Sequence, residues 1–352
     1  MIKRAFLSLV CLGLFYSCTK EKPDIHTACE LTATGTYVIK WETFPSMTGN
    51  VKIYESSKTD SFDLNSPIAE QNISIGYKNV LPMPTNKRSY FQLVFNKEYS
   101  VITADRIIPM QKIFNFRDLG GYQNRHKQQV QWGKLYRSGS LAMANKHDIT
   151  TLKQLGIKTV IDFRTEKDTH LHPSQFQAEQ IFNLPLRGNN YNVFFDEILS
   201  GKMQRHDVIM YLQEVFYFLL ENNSDYFTKM FDVLLNEQNY PVMMYCSLGQ
   251  DRSAIAVALA LAALDIDQET IINDYLLSNE LINYHSLVDN ADNFTPQVQE
   301  TITALFRAHR ETISYSFNQI EQEYGSMQNY LEKELQMTGK KREKLKELLL
   351  YK

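Results

Sequence analysis

Pro241-Val242-Met243-Met244-Tyr245-Cys246-Ser247-Leu248-Gly249-Gln250-Asp251-Arg252-Ser253 is the stretch on which the fold turns. The run 241–245 is apolar and short, as a buried strand is. Residues 252–264 are apolar on every side and read as a buried helix, far too short to cross a bilayer. Five residues separate Cys246 from Arg252, with Gly249 among them. A Cys and an Arg at that spacing mean little alone. Between a strand and a helix they mean more, because the loop's backbone N–H groups and the helix N-terminus then converge into an anion cradle.

That cradle suits a phosphate. Arg252 can hold two of its oxygens at once. The positive field favours a thiolate on Cys246, which is the form that attacks phosphorus. Ser253 can hydrogen-bond the sulfur and ease its departure, and Asp251 is the nearest candidate to protonate the leaving oxygen. Ser247, Leu248, Gly249 and Gln250 supply the cradle itself. The cradle performs the charge neutralisation that a metal would otherwise provide, so neither a metal nor another cofactor is expected.

Outward from the loop, residues 109–352 alternate strand and helix. Strands are expected at 135–138, 158–163 and 181–186, and helices at 149–155, closed by Gly156, and at 206–221 and 224–236. Such alternation predicts an α/β domain with a mainly parallel central sheet flanked by helices, its ligand beyond the carboxyl ends of the strands. Residues 27–108 differ. Short runs at 37–41, 50–54, 90–95 and 100–103, separated by Gly, Pro, Asn and Asp, predict a small all-β sandwich with Trp41 in its core. By pattern it resembles immunoglobulin-like or fibronectin-like modules, and it reads as a spacer or docking module. With 352 residues, two or three domains are expected.

Asn115-Phe116-Arg117-Asp118-Leu119-Gly120-Gly121-Tyr122 resembles the signature of bacterial tyrosine/serine protein phosphatases, the atypical dual-specificity group. The segments 132–139, 156–164, 274–279 and 324–331, with the loop itself, continue the likeness over 109–352. The resemblance implies a cysteine-phosphatase fold, metal-free hydrolysis of phosphoesters, and phosphotyrosine as the usual substrate, with phosphoserine, phosphothreonine or phosphoinositides taken by some members. It implies Cys246 as nucleophile, Arg252 as clamp, Asp251 as acid, and Asp118 as a residue facing the pocket, the last competing with a turn-capping role before Gly120-Gly121. Two positions depart from the family. Tyr245 stands where His usually precedes the nucleophile, and Gln250 where Lys usually precedes the loop Asp. Substrates with several phosphates lose most from the missing cation. The competing reading is a slow or silent phosphate-binding protein. Asp162 and Arg164 read as a structural ion pair. Residues 340–347 read as a charged helix with a solvated face, and His206 and His285 lack partners at metal-binding spacing.

The first residues are targeting signal. Lys3 and Arg4 precede an apolar run, 5–16, that ends at Ser17-Cys18. This resembles a bacterial lipoprotein signal: 1–17 removed, Cys18 lipidated, and 18–26 a polar tether to the membrane. Thr19 after the Cys fits outer-membrane sorting. The formal charge of −3, about −5 without Lys3 and Arg4, makes nucleic acid a poor partner. Of four cysteines, two lie in the leader region and two, Cys29 and Cys246, beyond it, so no disulfide framework can be built.

Overall fold

The structure, a computed structural model, describes residues 22–83, 87–188, 191–284, 287–288 and 293–352. Cys11, Cys18 and the rest of the expected leader lie outside the described residues, as does His285.

Seven strands come first: β1 (Asp24–Leu31), β2 (Tyr37–Phe44), β3 (Asn50–Ser56), β4 (Ala69–Asn72), β5 (Tyr77–Val80), β6 (Tyr90–Phe95) and β7 (Tyr99–Thr103). They form two antiparallel sheets, ordered β1-β2-β5 and β4-β3-β6-β7. Alternate side chains point inward, so Ile39 and Trp41 of one sheet meet Ile53, Phe91, Leu93 and Phe95 of the other in a shared core. The Trp41 indole donates to the Ile73 carbonyl at 2.8 Å. Three of these strands were not expected. β1 begins at Asp24, inside the stretch read as tether, and β4 and β5 are short and largely polar.

The second region holds β8 (Arg117–Asp118), β9 (Leu135–Ser138), β10 (Thr159–Asp162), β11 (Gln180–Asn183) and β12 (Val242–Tyr245), in the order β11-β10-β12-β9-β8. All pairings are parallel except β8 with β9. Its helices are α1 (Lys146–Gln154), α2 (Glu166–Leu171), α3 (Tyr191–Leu199), α4 (Arg205–Glu221), α5 (Ser224–Leu234), α6 (Arg252–Ala263), α7 (Gln268–Leu276), α8 (Ser278–Leu281), α9 (Pro296–Phe306), α10 (Arg310–Tyr324), α11 (Met327–Lys333) and α12 (Gly339–Leu349). This is the expected α/β fold with a mainly parallel sheet. Almost every side chain of α6 is buried, as its uniform apolarity requires. Among the described residues no helix is long and apolar enough to cross a membrane. The charged face of α12 is largely solvated, with Lys340, Glu343, Lys344 and Glu347 exposed, while Leu345 and Leu349 are buried on its other side and Lys346 pairs with Asp265 at 2.7 Å.

Register sets the site. Ser138 of β9 and Asp162 of β10 both pair with Tyr245 of β12, so three parallel strands end level, directly before Cys246. The two regions are docked on each other. Trp132 packs with Tyr90 and Ala104, and its indole donates to the Ile102 carbonyl at 2.9 Å. Gln123 donates to the Ile25 carbonyl at 2.6 Å.

Candidate active site

The loop between β12 and α6 is braced from behind. Gly249 has φ +72°, and a Cβ there would lie 2.5 Å from the Ser138 carbonyl carbon, so both conformation and space demand glycine. The Gly249 carbonyl accepts from Asn115 Nδ2 at 2.8 Å and from Arg137 Nη2 at 2.6 Å. The Leu248 carbonyl accepts from Asn115 Nδ2 at 3.4 Å, and the Ser247 carbonyl from the Ser140 amide at 2.9 Å. These peptides are trans, so each carbonyl held at the back turns the following N–H the other way. The amides of Leu248, Gly249 and Gln250 are thereby turned away from the brace, which is how a cradle is built.

The brace is itself ionic. Arg117 and Arg137 sit opposite each other across β8 and β9 and both grip Asp274, at 2.9 Å and 2.6 Å. All three side chains are essentially inaccessible. Burial works against the Asp274 charge, but the two guanidinium groups outweigh it and hold the carboxyl well below the usual carboxylate range. Burial, with repulsion from Arg117, lowers Arg137 to about 10, which leaves it charged at neutral pH. Arg117 also donates to the Asn115 side-chain oxygen, and Asn115 donates to Ser278 Oγ at 3.1 Å.

Cys246 is 3% exposed, and its Sγ lies 3.3 Å from Ser253 Oγ. Arg252 donates to Ser247 Oγ at 3.2 Å and to the Phe163 carbonyl at 3.3 Å, and pairs with Asp168 at 3.5 Å. Asp251 precedes α6 but its carboxylate does not cap that helix. Cys246, Ser247, Leu248, Gln250, Asp251 and Arg252 line one cleft of about 670 Å³. Thr165, Lys167 and Asp168 form part of its rim, and Leu186, Phe195, Val215, Leu219, Leu305 and Phe306 give it an apolar wall. Gln250 is buried and receives a bond from the Tyr284 hydroxyl at 3.4 Å.

Tyr245 is held, not stranded. Its hydroxyl donates to Asp162 Oδ2 at 2.5 Å and accepts from Arg164 Nη2 at 3.0 Å. Asp162 and Arg164 form the expected ion pair, at 2.8 Å. Burial, reinforced by the Asp162 charge, pushes the Tyr245 phenol upward, so it stays a neutral donor.

Asp118 is a correction. It does not face the cleft. Its side chain is fully buried, accepts from the Gly120 and Gly133 amides at 2.7 and 2.8 Å, and pairs with Arg88 at 2.5 Å. On a two-residue strand its neighbour Arg117 takes the side toward Asp274, and Asp118 takes the other. The turn-capping role wins, with an ion pair added from thirty residues upstream.

Sequence reasoning missed four residues that shape the site: Asn115, Arg137 and Asp274 behind the loop, and Asp168 in front. Thr165-x-x-Asp168 is a capping box at the start of α2 and was readable. Burial raises Asp168, but the Thr165 hydroxyl and Arg252 outweigh it and leave it below its ordinary value.

Known proteins resemble this chain in sequence. A protein of Cupriavidus necator named "Putative tyrosine-protein phosphatase" is 27% identical over 239 residues, covering 64% of this chain and 82% of its own. The triple specificity protein phosphatase PtpB of Mycobacterium tuberculosis is 26% identical over 193 residues, covering 48% of this chain and 68% of its own. Residues 108–351 match the model of the tyrosine phosphatase family. The match spans well over half the sequence and contains the whole loop, its brace and its cleft, so the chain belongs to the tyrosine phosphatase family.

Proposed function

We propose that this protein is a cysteine-dependent phosphomonoester hydrolase, a protein tyrosine phosphatase open to dual specificity, that works without a metal. The observation that carries the reading is the placing of a thiol, an arginine and a carboxylate in one cleft, at the joint of a strand end and a helix start. The Cys246 thiolate attacks phosphorus and the ester P–O bond breaks. The leaving oxygen takes its proton from the Asp251 carboxyl. Water then attacks the phosphocysteine, returns a proton to Asp251, and the sulfur leaves as thiolate, eased by the Ser253 hydroxyl. Arg252 and the turned amides carry the charge of the transferring group.

The cleft favours one phosphate on a bulky apolar or aromatic carrier. Apart from Arg252, Lys167 is the cation among its described lining residues, Asp168 and Asp251 oppose it, and Gln250 adds none. Phosphate release from an aryl phosphate by the purified protein tests the reading. Vanadate-sensitive turnover that disappears in Cys246→Ser supports it. Equal turnover in both proteins, or none between pH 5 and 8, defeats it and leaves a phosphate-binding protein. Asp251→Asn should slow alkyl phosphates more than activated aryl ones.

We propose further that Cys18 is acylated and tethers the protein to a bacterial membrane, the outer one where there are two. The support is the cationic start, the apolar run and the Ser17-Cys18 junction. Radiolabelled palmitate should mark the wild-type chain in a bacterial host and leave Cys18→Ala unmarked.

A further inference from the structure

Arg88 belongs to the N-terminal sheets, between β5 and β6, yet its guanidinium reaches the second region. It donates to Asp118 Oδ2 at 2.5 Å, to the Asp105 carbonyl at 2.7 Å, and to the hydroxyls of Tyr90 and Tyr136 at 3.3 and 3.5 Å. The pair is well buried, with side-chain exposures of 12% and 0%. Asp118 is one half of β8; Arg117, the other half, holds Asp274 and Asn115. Asn115 and Arg137 in turn hold the Gly249 carbonyl. A chain of polar contacts, bridged at one point by the peptide bond between Arg117 and Asp118, thus runs from the N-terminal sheets to the back of the cradle.

We propose that Arg88 is a positioning residue for the phosphate loop, and that the N-terminal sheets are a working part of the hydrolase rather than a spacer. Asp118 without Arg88 is a buried carboxylate with only backbone donors left, and it must shift or take up water. A two-residue strand cannot move one residue and keep the other, so Arg117 shifts with it and the brace on Gly249 loosens. Gln123 is the control: it also joins the two regions, through the Ile25 carbonyl, but does not touch β8.

The inference rests on the phosphatase reading, so its test uses readouts that do not need turnover. In the full chain, phosphate affinity by calorimetry and the alkylation rate of Cys246 by iodoacetamide are measured beside aryl phosphate hydrolysis. Arg88→Met strands Asp118; the paired variant R88M/D118N removes both charges but sets an amide NH2 against one of the two backbone N–H groups that Asp118 accepts from, so β8 still loses its hold, and circular dichroism checks folding. The expected result is about tenfold weaker phosphate binding, an altered Cys246 alkylation rate and a lower kcat in the folded paired variant. Arg88→Lys should recover part of this, and Gln123→Ala should match wild type. A folded paired variant with wild-type phosphate affinity and alkylation overturns the proposal, as does a Gln123→Ala loss as large as that of R88M/D118N. An inactive wild-type protein whose phosphate binding still falls in R88M/D118N would defeat the hydrolase reading and leave the positioning role standing.

Discussion

The two sides of the loop from Cys246 to Arg252 are built on opposite terms. Behind it, Asn115, Arg117, Arg137 and Asp274 are all buried at 2% exposure or less, and the two guanidinium groups share one carboxylate. In front, Arg252 and Asp168 share a longer contact of 3.5 Å at side-chain exposures of 17% and 37%. The back fixes where the carbonyls point and therefore where the amides point. In the proposed reaction the front guanidinium would leave this longer contact for a phosphate. Rigidity and availability are thus assigned to different residues, and substitutions on the two sides should fail differently.

Asp274→Asn attacks the back and should have the largest effect. It leaves two buried guanidinium groups short of their counter-charge, so a loss of about 3–5 kcal/mol in denaturant unfolding is expected, with activity falling alongside. Acid should do the same reversibly. The Asp274 carboxyl is held down in the folded state. Its contribution is therefore full above the ordinary Asp value near 3.9 and is lost as pH falls from there through the depressed folded value. A thermal melt series that shows no destabilisation below about pH 4 would count against this. Arg252→Lys attacks the front. It should cost about 10²–10³-fold in kcat, through the lost fork on the transition state, while the unfolding midpoint scarcely moves. A large fall in stability would mean that Arg252 is part of the brace. Tyr245→Phe lies between the two sides. It removes one donor to Asp162, which keeps Arg164, so a loss on the order of 1 kcal/mol and a modest change in rate are expected. A collapse of activity would instead give Tyr245 a direct role in the chemistry.

The front was far more legible in the sequence than the back. The strand, loop and helix from Pro241 to Ala263 are contiguous, and each carries its own pattern: an apolar run, an internal Gly, an apolar helix. Gly249 stands out within the loop, although the Ser138 carbonyl that leaves no room for a Cβ lies far from it in sequence. The back is assembled over long separations, with Arg117 and Asp274 157 residues apart and Asn115 and Gly249 134 apart. Their motifs stood out, but no periodicity says which Arg meets which Asp. Asp118 was misplaced for the same reason: the partner that decides its direction, Arg88, lies in the other region of the molecule. β1 and β4 escaped notice because polar strands such as Ala69–Asn72 show little of the alternation by which a half-buried strand is recognised.

If Cys246 attacks phosphorus directly, as proposed, its sulfur carries the phosphoryl group between the two steps. Rapid acid quench of the full chain with a phosphate-labelled aryl ester, followed by mass spectrometry of the peptides, tests it. Expected is a phosphorylated Cys246 in the wild type, accumulating further in a variant whose second step is slowed, such as Ser253→Ala. Turnover with no phosphocysteine in either protein, or label on another residue, would contradict it.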